Sequence, residues 1–171
     1  MTAAFYLWCL FGLLGALDVG YFHIYRCKLS SAPGSRGEQV THLARTALFV
    51  AVLLWLMGVE AHGPAALILP GLLAADFLNS MADVLLEPKS RQALGGLPPL
   101  EYAVHMVAMF VSGAATALVV VDAWSRLALP ARLALTLLAV PPAALAMGWQ
   151  IALVAVGLFV FEGLRFLGVR R

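Results

Sequence analysis

Two short stretches of the chain each place a glutamate and a histidine one helical turn apart. They are EQVTH, with Glu38 and His42, and LPPLEYAVH, with Glu101 and His105. Residues at i and i+4 share one face of an α-helix, so each pair converges on one point. Carboxylate and imidazole groups together are ligands for iron, manganese or zinc. A single pair at the start of a helix also has a simpler explanation, because the helix dipole favours Glu there.

More acids and imidazoles occur at similar depths in other apolar segments. Asp18 and His23 precede Arg26. The stretch DFLNSMADVLLE carries one polar stripe at i, i+3, i+7 and i+11, formed by Asp76, Asn79, Asp83 and Glu87. Depth in the membrane can be estimated at about 1.5 Å per residue from Arg26, Arg36, Lys89 and Pro99, which mark the membrane surface. By this estimate the candidate ligands lie about 3–12 Å below that surface, at one end of their helices. Charge in lipid is costly, so a shared layer of such residues indicates a functional site.

This layer predicts a centre for two transition-metal ions, with iron as the expected metal and zinc or manganese as alternatives. The expected ligands are His23, Glu38, His42, Asp83, Glu101 and His105, with Asp18 as a further candidate. The residues expected to support them are Asp76, Asn79, Glu87 and Arg45. Asp18 and His23 are five residues apart, about 140° around an ideal helix, so both face the site only if Gly20 permits a distortion. Glu87 has a second interpretation, as a solvated charge at a helix end.

The elements that position these residues are transmembrane helices. The chain is 63% hydrophobic and 12% charged, with a mean hydropathy of +0.93. A helix needs roughly 20 apolar residues to cross a bilayer. We therefore predict an all-α single transmembrane domain over 1–171, with spans at 3–25, 37–61, 65–87, 100–122 and 146–168. The apolar stretch 127–145 is broken by consecutive prolines and is predicted to be interfacial or re-entrant.

The distribution of basic residues predicts the orientation of the helices. Most of them fall at one end of the predicted helices, namely Arg26, Lys28, Arg36, Arg45, Lys89, Arg91, Arg165, Arg170 and Arg171. Only Arg126 and Arg132 fall at the other end. The positive-inside rule then places the amino terminus outside and the carboxyl terminus in the cytoplasm. No basic surface interleaved with aromatic residues indicates a nucleic-acid partner.

The order of these motifs resembles that in a group of small bacterial multi-pass membrane proteins to which no function is assigned. The motifs are LD…YFH, EQVTHLAR, D…AD…E…R and LPPLEYAVH, and they cover roughly residues 15–108. That group has Asp and His at i, i+4 in its first helix, and commonly has Glu where this chain has Asp76. The resemblance implies a shared site in a bacterial inner membrane. The site also resembles carboxylate-bridged di-iron helical bundles in combining Glu with a Glu and His pair one turn apart, although those bundles space the pair at i, i+3.

Several functions follow as hypotheses. A dinuclear iron site beside lipid favours an oxidase, hydroxylase or desaturase that acts on a lipophilic small molecule and receives electrons from a donor. The first alternative is a metal-ion or proton transporter, in which Asp76 and Asn79 extend the polar path inward. The second alternative is a zinc-dependent lipid hydrolase.

Overall fold

The computed structural model describes residues 1–29, 34–92 and 95–168. It contains five helices long and apolar enough to cross a membrane, which are Thr2–Arg26, Arg36–Gly58, Gly63–Ser90, Pro99–Arg126 and Pro142–Phe166. Each boundary falls within about one helical turn of the predicted one. The prediction of an all-α bundle with five transmembrane helices is confirmed, and the chain is a multi-pass membrane protein. Arg170 and Arg171, which contributed to the predicted orientation, lie outside the described residues.

The described residues form regular elements both in the spanning segments and in the connections between them. In chain order they are α1 (Thr2–Leu17), a π-helical segment (Asp18–Arg26), α2 (Arg36–Gly58), β1 (Val59–His62), a 3₁₀ helix (Gly63–Leu67), α3 (Ile68–Ser90), α4 (Pro99–Arg126), β2 (Arg132–Leu135) and α5 (Pro142–Phe166). Proline occupies the first position of both α4 and α5. Its fixed φ suits a helix start, and the N–H that it lacks would be unsatisfied there anyway.

The connection between α4 and α5 lies against the end of α2. Strand β2 pairs antiparallel with β1, in the register that sets Val59 opposite Leu135. Beyond the strand, the amide of Thr136 donates to Gly58 at 3.0 Å, and the amide of Leu138 donates to Met57 at 2.9 Å. These bonds satisfy backbone groups that a non-helical segment would otherwise leave unpaired. The segment predicted to be interfacial or re-entrant therefore includes a short strand.

An apolar core fills the half of the bundle that contains the start of α1 and the end of α2. Trp8 stacks on Phe49 with the ring centroids 5.8 Å apart, and its indole N–H donates to the carbonyl of Phe49 at 3.1 Å. Helix α5 approaches closely at Gly148, where an added Cβ would lie 2.9 Å from Met57 and 3.0 Å from Phe5. Small residues permit such contacts between membrane helices. The polar residues of the predicted site occupy the opposite half.

Candidate metal centre

The π-helical segment brings the two polar residues of the first span to one side. In a π-helix the hydrogen bonds run from i to i+5, as in the bond from the amide of Cys27 to the carbonyl of Phe22 at 2.7 Å. The carboxylate of Asp18 lies 3.4 Å from Nε2 of His23. On a regular α-helix these residues would point about 140° apart. The distortion anticipated around Gly20 is therefore present, and both residues face the site.

Helix α4 completes a group of four donors with this segment. Nε2 of His105 lies 3.2 Å from Oδ1 of Asp18, and Oε1 of Glu101 lies 3.5 Å from Nε2 of His23. Each of these four side chains offers a ligand atom within 4.8 Å of the others. Two ligands bound at about 2.1 Å to one metal lie about 3.0–3.4 Å apart, so these separations suit one ion. We call Asp18, His23, Glu101 and His105 the four-donor group.

A second group adjoins the first and shares one residue with it. His23, Glu38 and His42 also offer ligand atoms within 4.8 Å of one another, and we call them the three-donor group. Nε2 of His42 lies 3.8 Å from Oε1 of Glu38. The imidazole rings of His23 and His42 have centroids 4.3 Å apart. The π-helical segment, α2 and α4 thus deliver donors to one connected region.

The chemistry of these donors fits a metal ion. All members of both groups are buried except His105, which is partly exposed. Among the described residues, the buried Nδ1 of His23 makes no hydrogen bond, and Oδ1 of Asp18 and Nε2 of His105 face each other at 3.2 Å without hydrogen-bond geometry. Buried polar atoms without partners are rare and costly in native proteins. Iron, manganese or zinc would each accept this set of carboxylates and imidazoles.

Arg91 is a site residue that the sequence analysis did not identify. It was counted there only among the basic residues at one end of the helices, but its side chain is fully buried. Its guanidinium lies 3.0 Å from Oε1 of Glu38, donates to Glu101, and lies 3.3 Å from Nε2 of His23. Two signals pointed to it: buried carboxylates need a cation, and the pattern D…AD…E…R contains this arginine. Burial opposes its charge, but the bond to Glu101 and the charge of Glu38 raise the pKa of Arg91.

Neutral donors cover the outer oxygens of the two glutamates. Ser90 donates to Oε2 of Glu38. The thiol of Cys27 donates to Oε2 of Glu101 at 4.0 Å. Burial and the negative charge of Glu101 both raise the pKa of Cys27. A raised pKa disfavours the thiolate, which makes Cys27 a poor metal ligand.

Asp83, predicted to be a ligand, lies beside the three-donor group without belonging to it. Its Oδ2 is 3.5 Å from Nε2 of His42 and 3.3 Å from Nη1 of Arg45. Thr41 donates to its Oδ1 at 2.5 Å. Arg45, expected to support the ligands, forms this ion pair with Asp83.

The other supporting candidates occupy distinct places around the site. Oε1 of Glu87 lies 3.4 Å from Nδ1 of His105, the nitrogen that does not face Asp18. Asn79 donates to the carbonyl of Thr41 at 2.9 Å and so ties α3 to α2. Asp76 is buried on α3 and belongs to neither donor group.

Helix α5 brings a further carboxylate close to the site. Glu162 lines a small cavity of about 20 Å³ together with His23 and His42. In the sequence, Glu162 lies three residues before Arg165 near a helix end, where a solvated charge would be expected. Its proximity to the histidines depends on how α5 packs on α2, which no local pattern encodes.

No family model, curated protein or solved structure matches this chain. The resemblance to small bacterial multi-pass membrane proteins stays a prediction from the motifs. The structure itself shows a multi-pass helical bundle with acid and histidine groups, at one end, that could hold a metal ion.

Proposed function

We propose that this protein is a membrane metalloenzyme that binds iron and oxidises a lipophilic substrate. The observation that carries the proposal is the meeting of two donor groups at His23, buried among membrane-spanning helices. Such carboxylate and imidazole donors suit non-haem iron, and dinuclear iron centres are built in helical bundles from the same residue types.

The donors divide unequally between two ions. The four-donor group would hold the first ion through two carboxylates and two imidazoles. Nε2 of His23 can bind only one ion, so a second ion beside Glu38 and His42 needs another donor. Asp83, whose carboxylate lies 3.5 Å from His42, and Glu162, which lines a cavity with His42, are the candidates.

The protein contributes positioning and charge balance. Glu87 beside Nδ1 of His105 fixes the imidazole so that Nε2 faces the ligand position, as carboxylates behind metal-bound histidines commonly do. Arg91 offsets the charges of Glu38 and Glu101. Bound iron would supply the redox chemistry, with dioxygen as the oxidant and an external electron donor as the reductant.

A transporter would need a polar route through the bundle, and the core beyond the site favours an enzyme instead. The large, fully buried side chains of the opposite half include Phe5, Trp8, Leu53 and Val119, all apolar. A charge crossing that region would pay a high desolvation cost. The polar residues therefore form a site at one end of an apolar bundle.

Elemental analysis of protein purified without added metal tests the proposal. We expect about two iron ions per chain in the wild type and a large loss in a Glu101→Ala, His105→Ala double variant. The matched control is Glu60→Ala, His62→Ala, which removes another neighbouring acid and histidine, 3.1 Å apart in β1 at the other end of the bundle. Less than about half an equivalent of any transition metal in the wild type, or equal content in the site variant, would overturn the metal assignment.

The identity of the metal and its response to oxygen separate the reaction classes. Iron that is reduced and then exposed to dioxygen should change its absorption spectrum. Zinc alone, with no spectral response, would favour the lipid hydrolase over the oxidase. Metal accumulation inside sealed vesicles containing the protein would favour the carrier.

A further inference from the structure

A cavity of about 340 Å³ begins at the candidate metal centre and continues into the apolar half of the bundle. At one end its lining includes Asp18, His42 and His105. At the other end it includes Phe11 and Phe49. Its volume lies in the range of small-molecule binding sites, about 300–1,000 Å³, which are typically apolar with a few polar groups.

The cavity is elongated along the helices. From Asp18 to Phe11 helix α1 rises about 10 Å. Phe11, Phe49 and Ile151 lie at one level, because the two rings are 6.1 Å apart and a Cβ added at Gly12 would lie 3.1 Å from Ile151. With C–C bonds of about 1.5 Å, an extended alkyl chain advances about 1.3 Å per carbon, so this length accommodates about eight carbons.

Exposed residues in the lining connect the cavity with the lipid-facing surface. Val84 on α3 and Met109 on α4 line it and are 56% and 38% exposed, respectively. Leu13 on α1 and Val154 on α5 line it too and are 53% and 55% exposed. In a bilayer this surface faces acyl chains, so a lipophilic molecule can enter sideways without crossing water.

Arg45 provides a polar anchor between the centre and the apolar end. It lies on α2, one turn beyond His42, and lines the cavity. Its Nη1 pairs with Asp83, whereas its buried Nε makes no hydrogen bond with the described residues. Asp18, Asp83 and Glu87 also line this end of the cavity, and Arg45 is the one guanidinium among the lining residues that the structure describes. An unpaired guanidinium N–H there favours a carboxylate ligand, because charge-assisted hydrogen bonds are stronger than neutral ones.

We propose that this cavity binds a free fatty acid of about six to eight carbons, with its carboxylate at Arg45 and its chain end near Phe11, Phe49 and Ile151. Helix α2 rises about 6 Å from Arg45 to Phe49, which sets the lower length, and the full cavity sets the upper one. The inference deepens the proposed function, on which it rests for the role of the bound acid as substrate. The carbons next to the carboxylate then lie closest to the donor groups, and the terminal methyl lies farthest from them.

The test uses octanoic acid that carries a diazirine at its chain end, added to chelator-treated protein in phosphatidylcholine nanodiscs. After illumination, mass spectrometry identifies the labelled peptides. We expect label in the segments that contain Phe11, Phe49 and Ile151. Unmodified octanoic acid should reduce this labelling about tenfold at concentrations where octanol has little effect, since only the acid pairs with a guanidinium.

Two leucine variants provide a matched pair. Gly15 lines the cavity, and a Cβ added there meets no atom within 4 Å, so Gly15→Leu should fill the space without a clash and reduce labelling about tenfold. Gly113 is equally unobstructed but exposed on α4 and is not part of the lining, so Gly113→Leu should leave labelling unchanged.

Four results would overturn the inference: labelling that Gly15→Leu does not reduce, labelling that octanoic acid does not reduce, equal competition by octanol, or label concentrated around Glu101 and His105. Because the protein is free of metal, this outcome is independent of the elemental analysis. Specific labelling in a protein that never binds iron would refute the proposed function and leave the fatty-acid site standing. Bound iron without specific labelling would refute the fatty-acid site and leave the proposed function standing.

Discussion

The guanidinium of Arg91 donates to the carboxylate of Glu101, and neither side chain is exposed. The same guanidinium lies 3.0 Å from Glu38 on another helix. One cation that directly follows α3 thus joins two acids from α2 and α4, and both acids belong to the donor groups. Arg91 therefore links the packing of three helices to the charge balance of the candidate metal centre.

Replacing Arg91 by alanine should destabilise the protein strongly. The change leaves two buried carboxylates without their cation, and breaking a buried ion pair in this way typically costs about 3–5 kcal/mol. Thermal or denaturant unfolding in detergent would measure the effect. Lys89→Ala is the control, because Lys89 is exposed two residues earlier and its loss should change the free energy of unfolding by less than about 0.5 kcal/mol. Equal effects of the two substitutions would refute the role of Arg91.

The part of the site that helical spacing dictates could be predicted from the sequence. Glu38 with His42, and Glu101 with His105, converge because i and i+4 share a face on any α-helix. The apolar content and the length of the segments likewise determined the five spans. Those properties are local, so one sequence is enough to predict them.

The remaining features depend on packing between distant segments. The sequence left open whether Asp18 and His23 lie on the same face of their helix, because the choice between α and π geometry near Gly20 depends on the surrounding helices. Arg91 was misplaced because it turns back into the bundle after α3. Glu162 comes close to His23 only through the docking of α5. Each of these positions results from tertiary structure that a pattern along the chain does not record.

Glu87→Gln should weaken metal binding without removing a ligand. Glu87 lies 3.4 Å from Nδ1 of His105, and loss of such a carboxylate partner commonly reduces metal affinity about 10–100-fold. Competition with a chelator of known affinity would measure the change. The control is Glu60→Gln in β1, at the other end of the bundle, which should leave the affinity unaltered. The same affinity in both variants would argue against an orienting role for Glu87.

Gly148→Leu should destabilise the bundle by forcing α5 away from its neighbours. An added Cβ would lie 2.9 Å from the sulfur of Met57 and 3.0 Å from the ring of Phe5, and overpacking of this kind typically costs about 1–3 kcal/mol. Gly157→Leu is the control on the same helix, because Gly157 is exposed and has no neighbour within 4 Å of an added Cβ. Thermal unfolding should separate the two variants, and similar midpoints would show that the close approach at Gly148 does not matter.

Deletion of Gly20 should preserve the metal content of the protein. The deletion brings Asp18 and His23 four residues apart, which places them on one face of a regular α-helix and removes the need for the π-helical segment. The residues before and after the deletion can then keep their present contacts with the neighbouring helices. Insertion of an alanine after Gly20 is the contrasting variant, because six residues align the two side chains in neither helix type, and the metal content should fall. Elemental analysis of both purified variants measures this. Loss of metal from the deletion variant would show that metal binding requires the π-helical geometry itself. It would then not be enough that Asp18 and His23 lie on the same face.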